Sequence, residues 1–219
     1  MGLLPSEDRP TEGQRDTPRR DPEATRARIM KAAVKEFSAK GISGARVDAI
    51  AARAGANKRM LYHYFGSKYG LFREVLRREL GDRVQRNRDL GTGRRERLVE
   101  RQAAHAKDRV WVRLLMWEAL ESSAQDMAED GDRAAWYADW VEGLRADQAA
   151  GRIPADLDAA QLALSDLALT LFPAAFPQLT RWVTGRSVSD PEFIAERQQF
   201  LEALGRRLYL EPGDRARRR

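Results

Sequence analysis

The sequence predicts an all-α protein, with a three-helix head near the N-terminus joined to a larger helical body. Three observations predict it. Apolar residues recur at steps of three and four along most of the chain, as one face of a helix requires. The two-residue alternation of a half-buried strand is absent. Gly, Pro, Asp and Asn punctuate the pattern where helices start and stop.

Residues 1–20 are rich in Pro, Gly and charge without apolar periodicity and read as a disordered arm. Asp21 followed by Pro22 is a helix start: an acceptor side chain, then a proline in the first turn. Ile29, Ala33 and Phe37 form one stripe, and Gly41 ends that helix. Val47, Ile50, Ala51 and Ala54 form a short second stripe closed by Gly55. Asn57 caps a third helix with Met60, Leu61 and Phe65 turned inward. Ser67 caps a fourth, carrying Leu71, Val75, Leu76 and Leu80. Helical regions follow over Leu98–Leu120, from Gly131 to near Gly151, and from Leu157 to about Phe172, the last capped by Asp156. Pro173 and Pro177 must kink or end that helix. After a loop from Gly185 to Pro191, a last helix runs to Leu210. Residues 211–219 read as a flexible basic tail containing Arg215, Arg217, Arg218 and Arg219. The expected division is therefore arm 1–20, head 21–68, body 69–210 and tail 211–219.

Composition narrows the function. There is no cysteine, which excludes disulfides, thiolate metal sites and cysteine nucleophiles and fits a reducing cytoplasm. The two histidines, His63 and His105, lack metal-ligand spacing, so neither metal nor cofactor is expected. No apolar run reaches bilayer length and Met1–Pro10 does not resemble a signal peptide, so a cytoplasmic protein without a membrane span is expected. The net charge is +6, and its location is informative. Residues 21–80 carry 13 Lys/Arg against 6 Asp/Glu, whereas the rest of the chain nearly balances. A local basic excess concentrates polyanions, although solvated helix faces account for charge alone.

The segment VDAIAARAGANKRMLYHYFG, residues 47–66, carries the function. Two short helices meet at Gly-Ala-Asn. A steep crossing needs a small residue at the contact, Ala51, and a turn residue that tolerates positive φ, Gly55. Leu61 anchors the back of the second helix, whose first turn is then free to enter a major groove. Asn57, Lys58 and Arg59 stand at its tip as candidate base readers. Tyr62 and His63 offer donors to phosphate oxygens, and Lys68 begins the next helix, where the dipole also favours phosphate.

The stretch IAARAGANKRMLYHYFGSKYGLFREVL resembles the DNA-binding domain of the TetR family of transcriptional regulators, through Ile50, Ala51, Ala54, Gly55, Leu61, Tyr62, Tyr64, Phe65, Lys68 and Leu71. The resemblance covers about 60 residues and extends to Ile29, Ala33, Phe37 and Gly41. It implies a helix-turn-helix head on a ligand-sensing, dimerising helical body. It implies phosphate contacts for Tyr62 and Lys68, and groove-facing roles for Asn57, Lys58, Arg59 and His63. Two positions depart from the family pattern. Ala45-Arg46 replaces the usual Thr or Ser before the second helix, so Arg46 is expected to meet phosphate by charge, with Ser43 the alternative cap. Ala56-Asn57 replaces Val-Ser.

All five tryptophans lie beyond residue 100. Trp117, Trp136, Trp140, Phe172 and Phe176 are the candidate lining of an apolar effector pocket, with Arg113, Glu118 or His105 orienting a polar end. Ordinary core packing is the competing reading of each aromatic. The expected effector is a small apolar or aromatic molecule. The helices over 157–172 and 191–210 are the expected homodimer seam, represented by Leu162, Leu169, Phe193, Phe200 and Leu204, because a helix apolar on most sides must be buried all round. The reading is a ligand-responsive repressor that binds a palindromic operator on double-stranded DNA as a homodimer. A transcriptional activator is the alternative. An enzyme has little support, since no phosphate loop, nucleophile elbow or metal cluster is present. A nonspecific DNA-packaging protein fits poorly with a near-neutral, tryptophan-rich body.

Overall fold

A computed structural model describes residues 21–89, 93–121, 123 and 131–209. The arm expected over 1–20 and the tail over 211–219 lie outside these residues. The described residues form ten helices and no strand, as the periodicity predicts: α1 (Pro22–Gly44), α2 (Val47–Ala54), α3 (Lys58–Phe65), α4 (Lys68–Asp89), α5 (Arg94–Lys107), α6 (Val110–Glu121), α7 (Gly131–Ala149), α8 (Ala159–Ala175), α9 (Pro177–Thr184) and α10 (Pro191–Leu208).

The caps are where the sequence places them in the head. Asp21 accepts the Glu23 amide, Asn57 accepts the Met60 amide and Ser67 accepts the Gly70 amide. Gly55 closes α2 in the left-handed region, φ 60°. The body departs from expectation in three places. The region from Leu98 to Leu120 is two helices, because Asp108 turns the chain and caps α6 through the Val110 amide. The apolar helix begins at Ala159, capped by Asp158 rather than Asp156. It also passes through Pro173 to Ala175, and Pro177 opens a further helix, α9, bent from α8 by 92°.

Pro173 survives inside α8 for a chemical reason. A proline has no N–H to give to the carbonyl four residues back. That carbonyl belongs to Leu169, and the Arg197 guanidinium of α10 donates to it at 2.8 Å. The Arg109 guanidinium donates to the Ala174 carbonyl near the same helix end.

One core runs through head and body. Ile29, Phe37, Ile50 and Leu61 of the head pack in a single cluster with Leu71, Phe72 and Leu76 of α4 and with Trp111 and Leu114 of α6. Phe37 and Phe72 meet edge to face at 5.1 Å. The boundary expected at residue 68 therefore falls within continuous packing. A second cluster, with Leu144, Ile153, Leu162 and Tyr209, ties α7 and α8 to the end of α10. No single helix among the described residues is long and apolar enough to cross a membrane.

Candidate nucleic-acid interface

The α2–α3 corner is built from the inside. Val47, Ile50, Ala51 and Ala54 bury one face of α2, and Leu61 is fully buried behind α3. The opposite face of α3 is left to solvent. Arg59, Tyr62 and His63 are exposed there, with His63 edge-on to Tyr64 at 5.5 Å.

Two of the expected base readers are already engaged. The Asn57 Oδ1 atom accepts the Met60 amide at 2.8 Å, so this side chain is a cap before it is anything else. Lys58 faces Asp48 of α2 at 3.4 Å, with both side chains more than half exposed. Lys68 is half-buried, and its ammonium donates to the carbonyls of Ser43 and Ala45 at 3.4 and 3.3 Å, bracing the α1–α2 junction. Arg46 precedes α2 with an exposed side chain that makes no cap hydrogen bond. Ser43 does not cap α2. Its amide donates instead to the Glu121 carboxylate of α6 at 2.6 Å.

Sequence reasoning missed the residues that hold this corner. Glu36 is 2% exposed. It accepts Lys40 at 2.7 Å, the Arg46 amide at 3.4 Å and Arg53 at 3.4 Å. The Lys40 ammonium leads in holding its carboxyl below the ordinary carboxylate range, joined by Arg46 and Arg53 against the opposing push of burial. Arg28 donates to the Ala54 carbonyl at 3.1 Å, satisfying the C-terminal end of α2. The signal available in the sequence was weak. Glu36 breaks the apolar stripe of α1 beside Phe37, where an ordinary surface charge reads the same way.

The expected pocket residues of the body sit in several different surroundings. Trp117 covers Gly41, where an added Cβ would come within 2.7 Å of the ring, and Arg113 donates to the Ala39 carbonyl at 3.2 Å. Trp136 meets α4 at Gly81, and Trp140 lies under the Arg101 guanidinium at 4.4 Å. Phe172 and Phe176 meet at a tilt, with centroids 5.1 Å apart, and are 47% and 38% exposed. Glu118 is held by Arg133 through two short ion-pair contacts, 2.6 and 2.9 Å. His105 is buried, and burial first, then Arg83 and Arg101, depress its pKa to about 4.

Two cavities are described instead. A groove of about 550 Å³ lies between head and body beside Arg26, Phe65, Arg73, Glu74 and Asp132. A gap of about 10 Å³ sits among Gln102, Thr170, Pro173, Ala174 and Phe193, room for about one water. None of the six expected pocket residues lines either one.

The expected seam splits between two faces. Leu162 and Phe193 are buried within the protomer, and Leu169 and Leu204 are half-buried. Phe200 is 49% exposed and faces outward, as do Leu164 and Phe172 of α8. The split has a simple cause: α8 is apolar on nearly every side, so its periodicity does not reveal which face turns inward.

A short, exposed polar helix braced by a buried corner, on an all-helical body, defines a helix-turn-helix DNA-binding protein. The comparisons agree. The family model described as bacterial regulatory proteins, tetR family, matches residues 29–75. That described as tetracyclin repressor-like, C-terminal domain, matches residues 96–207. The chain is 38% identical over 169 residues to the HTH-type transcriptional repressor SCO4008 of Streptomyces coelicolor, covering 76% of this chain and 86% of that one. It is 54% identical over 52 residues to the HTH-type transcriptional repressor NicS of Pseudomonas putida, 24% of each chain. The crystal structure of the putative transcriptional regulator SCO4942 from Streptomyces coelicolor matches with TM-score 0.66 and 26% identity, covering 84% of this chain and 98% of that one. The protein belongs to the TetR family of DNA-binding transcriptional regulators.

Proposed function

We propose that this protein is a homodimeric repressor whose two α3 helices enter successive major grooves of a palindromic operator and leave when a small effector enters the body. The observation that carries the reading is the exposed tip of α3. Arg59 extends from it, while Asn57 is held as a cap and Lys58 lies beside Asp48. Arg59 and His63 are the base readers in this reading, and Tyr62, Arg46 and Lys68 meet phosphates. Repression is supported by the name of the 38% identical relative. Dimerisation is supported by large apolar side chains left exposed on α8 and α10, namely Leu164, Phe172 and Phe200. The work of the body is effector sensing rather than catalysis, in the cytoplasm where the DNA is.

In this reading the effector enters at the gap between α5, α8 and α10. Gln102 lines it and has a buried Oε1 with no donor. A ligand there must widen the gap, and that widening couples binding to a change of shape. The test is a gel shift on DNA flanking the protein's own gene, with sedimentation of the free protein. A selective, salt-sensitive shift by a dimer is expected. A monomeric wild type, a Phe200→Arg variant as dimeric as the wild type, or no selective shift overturns the reading. Deleting the gene should raise transcription of its targets; a fall would make the protein an activator.

A further inference from the structure

The start of α2 lacks a standard device. A helix entering with Ser or Thr at its N-cap uses the hydroxyl to satisfy a first-turn amide, and a Glu three residues on reaches back to the N-cap amide. In α2 the N-cap is Arg46, with no side-chain cap bond, and the residue three on is Ala49. Both halves of the local arrangement are missing. The amide that the reaching glutamate would take is accepted instead by Glu36, ten residues earlier and on a different helix. The same carboxylate accepts Arg53 from the last turn of α2. It is buried to 2% exposure and tied to its own helix by Lys40.

We propose that Glu36 is a positioning residue for DNA binding: from α1 it holds both ends of α2, which frees position 46 from capping so that its side chain can present a cation to the DNA backbone. The inference rests on the DNA-binding reading given above. Its physical content is one of aim. With its own amide fixed, Arg46 leaves the α1–α2 junction in one direction. Without that bond, Arg46 keeps its carbonyl in the first turn of α2, where it accepts the Ala49 and Ile50 amides, but its own amide loses its acceptor on α1. An exposed arginine on a loosened backbone loses the geometric advantage of its contact. Glu36 itself stays buried and touches no DNA.

The experiment uses the full chain and a labelled duplex covering the DNA just upstream of its own gene, titrated by anisotropy over a series of salt concentrations. Glu36→Asp keeps the carboxylate and its charge but draws it away from the Arg46 amide. Glu36→Gln keeps the size and removes the charge. Each is expected to weaken binding about tenfold and to lower the slope of log affinity against log salt by about 0.9, the signature of one lost phosphate contact. Arg46→Ala alone is expected to do the same, and Glu36→Asp combined with Arg46→Ala to add little further, because both remove one contact. Circular dichroism establishes folding, and Glu36→Asp decides the matter if Glu36→Gln does not fold. A lowered Tm with wild-type slope and affinity would mean that Glu36 only stabilises, and would overturn the inference. So would losses that multiply in the double variant. Absence of selective binding by the wild type overturns the DNA-binding reading along with it, which is distinct from a wild type that binds and a Glu36→Asp variant that binds equally.

Discussion

Asn57 and Arg59 are two residues apart and have different work. The Asn57 cap contributes about 1 kcal/mol to α3, and its Oδ1 is already taken by the Met60 amide. Asn57→Ala should therefore weaken binding to every duplex alike by fraying the reading helix. Arg59→Ala should instead change which duplexes are preferred. A panel of operator variants measured by competition separates the two, and a changed preference with Asn57→Ala would return that residue to base reading. His105 gives a second residue-scale outcome. Folded, its pKa is about 4 against an ordinary 6.5, so the native protein keeps it neutral while the unfolded chain takes up a proton. Its contribution is present above pH 6.5 and is lost as the pH falls towards 4, amounting to about 3 kcal/mol. Asp166, raised by burial despite the Tyr209 hydroxyl, works in the opposite sense, so the test is a difference. Urea unfolding of His105→Gln against wild type should show a flatter decline of stability over that window. Parallel declines would show that His105 does not carry it.

Elements were legible in the sequence wherever turn chemistry and apolar spacing agreed. Gly55, Asn57 and Ser67 marked the corners of the head, and the structure uses all three as the spacing implies. The exposed face of α3 was legible for the same reason: with Leu61 buried as the anchor, Arg59, Tyr62 and His63 are left to solvent. What sequence could not reveal is polarity turned inward. Glu36, Gln102 and Asp166 are buried, and each looks like a surface residue in the sequence. The helix α9 was hidden for another reason: Pro177 reads as a kink or end of the preceding helix, whereas it opens a new one. At Pro173 the partner is Arg197, and the pairing is testable. Arg197→Met should cost about 1–3 kcal/mol by leaving the Leu169 carbonyl unsatisfied. Pro173→Ala restores an amide to serve that carbonyl, so the loss from Arg197→Met should shrink in that background. Equal losses in both backgrounds, measured by urea unfolding, would show that the guanidinium does not replace the missing proline donor.

At the scale of the whole molecule, the question is whether the head is hung on the body or fused to it. The shared core argues for fusion, since Ile29 and Leu61 pack in the cluster that holds Leu114 of α6. The surface of the joint argues the same way. α6 grips the end of α1 at three successive places: Arg113 on the Ala39 carbonyl, Trp117 over Gly41, and Glu121 on the Ser43 amide. Two residues later the chain enters Ala45 and Arg46, so a displacement of α6 reaches the start of α2 without an intervening hinge. Gly41 is the narrowest point. Its φ is +72°, and an added Cβ would come within 2.3 Å of the Glu121 carboxylate. Gly41→Ala should cost about 2 kcal/mol from backbone strain, with more from displacing Trp117. In a protein of this size that lowers Tm by about 4–8 °C. Because head and body share their packing, calorimetry should still show one transition, moved as a whole, and DNA affinity should fall with it. Two separated transitions, or a stable body with a head that melts alone, would show that the two are joined only by the α1–α6 contact and that a change of shape in the body has no continuous route to the DNA.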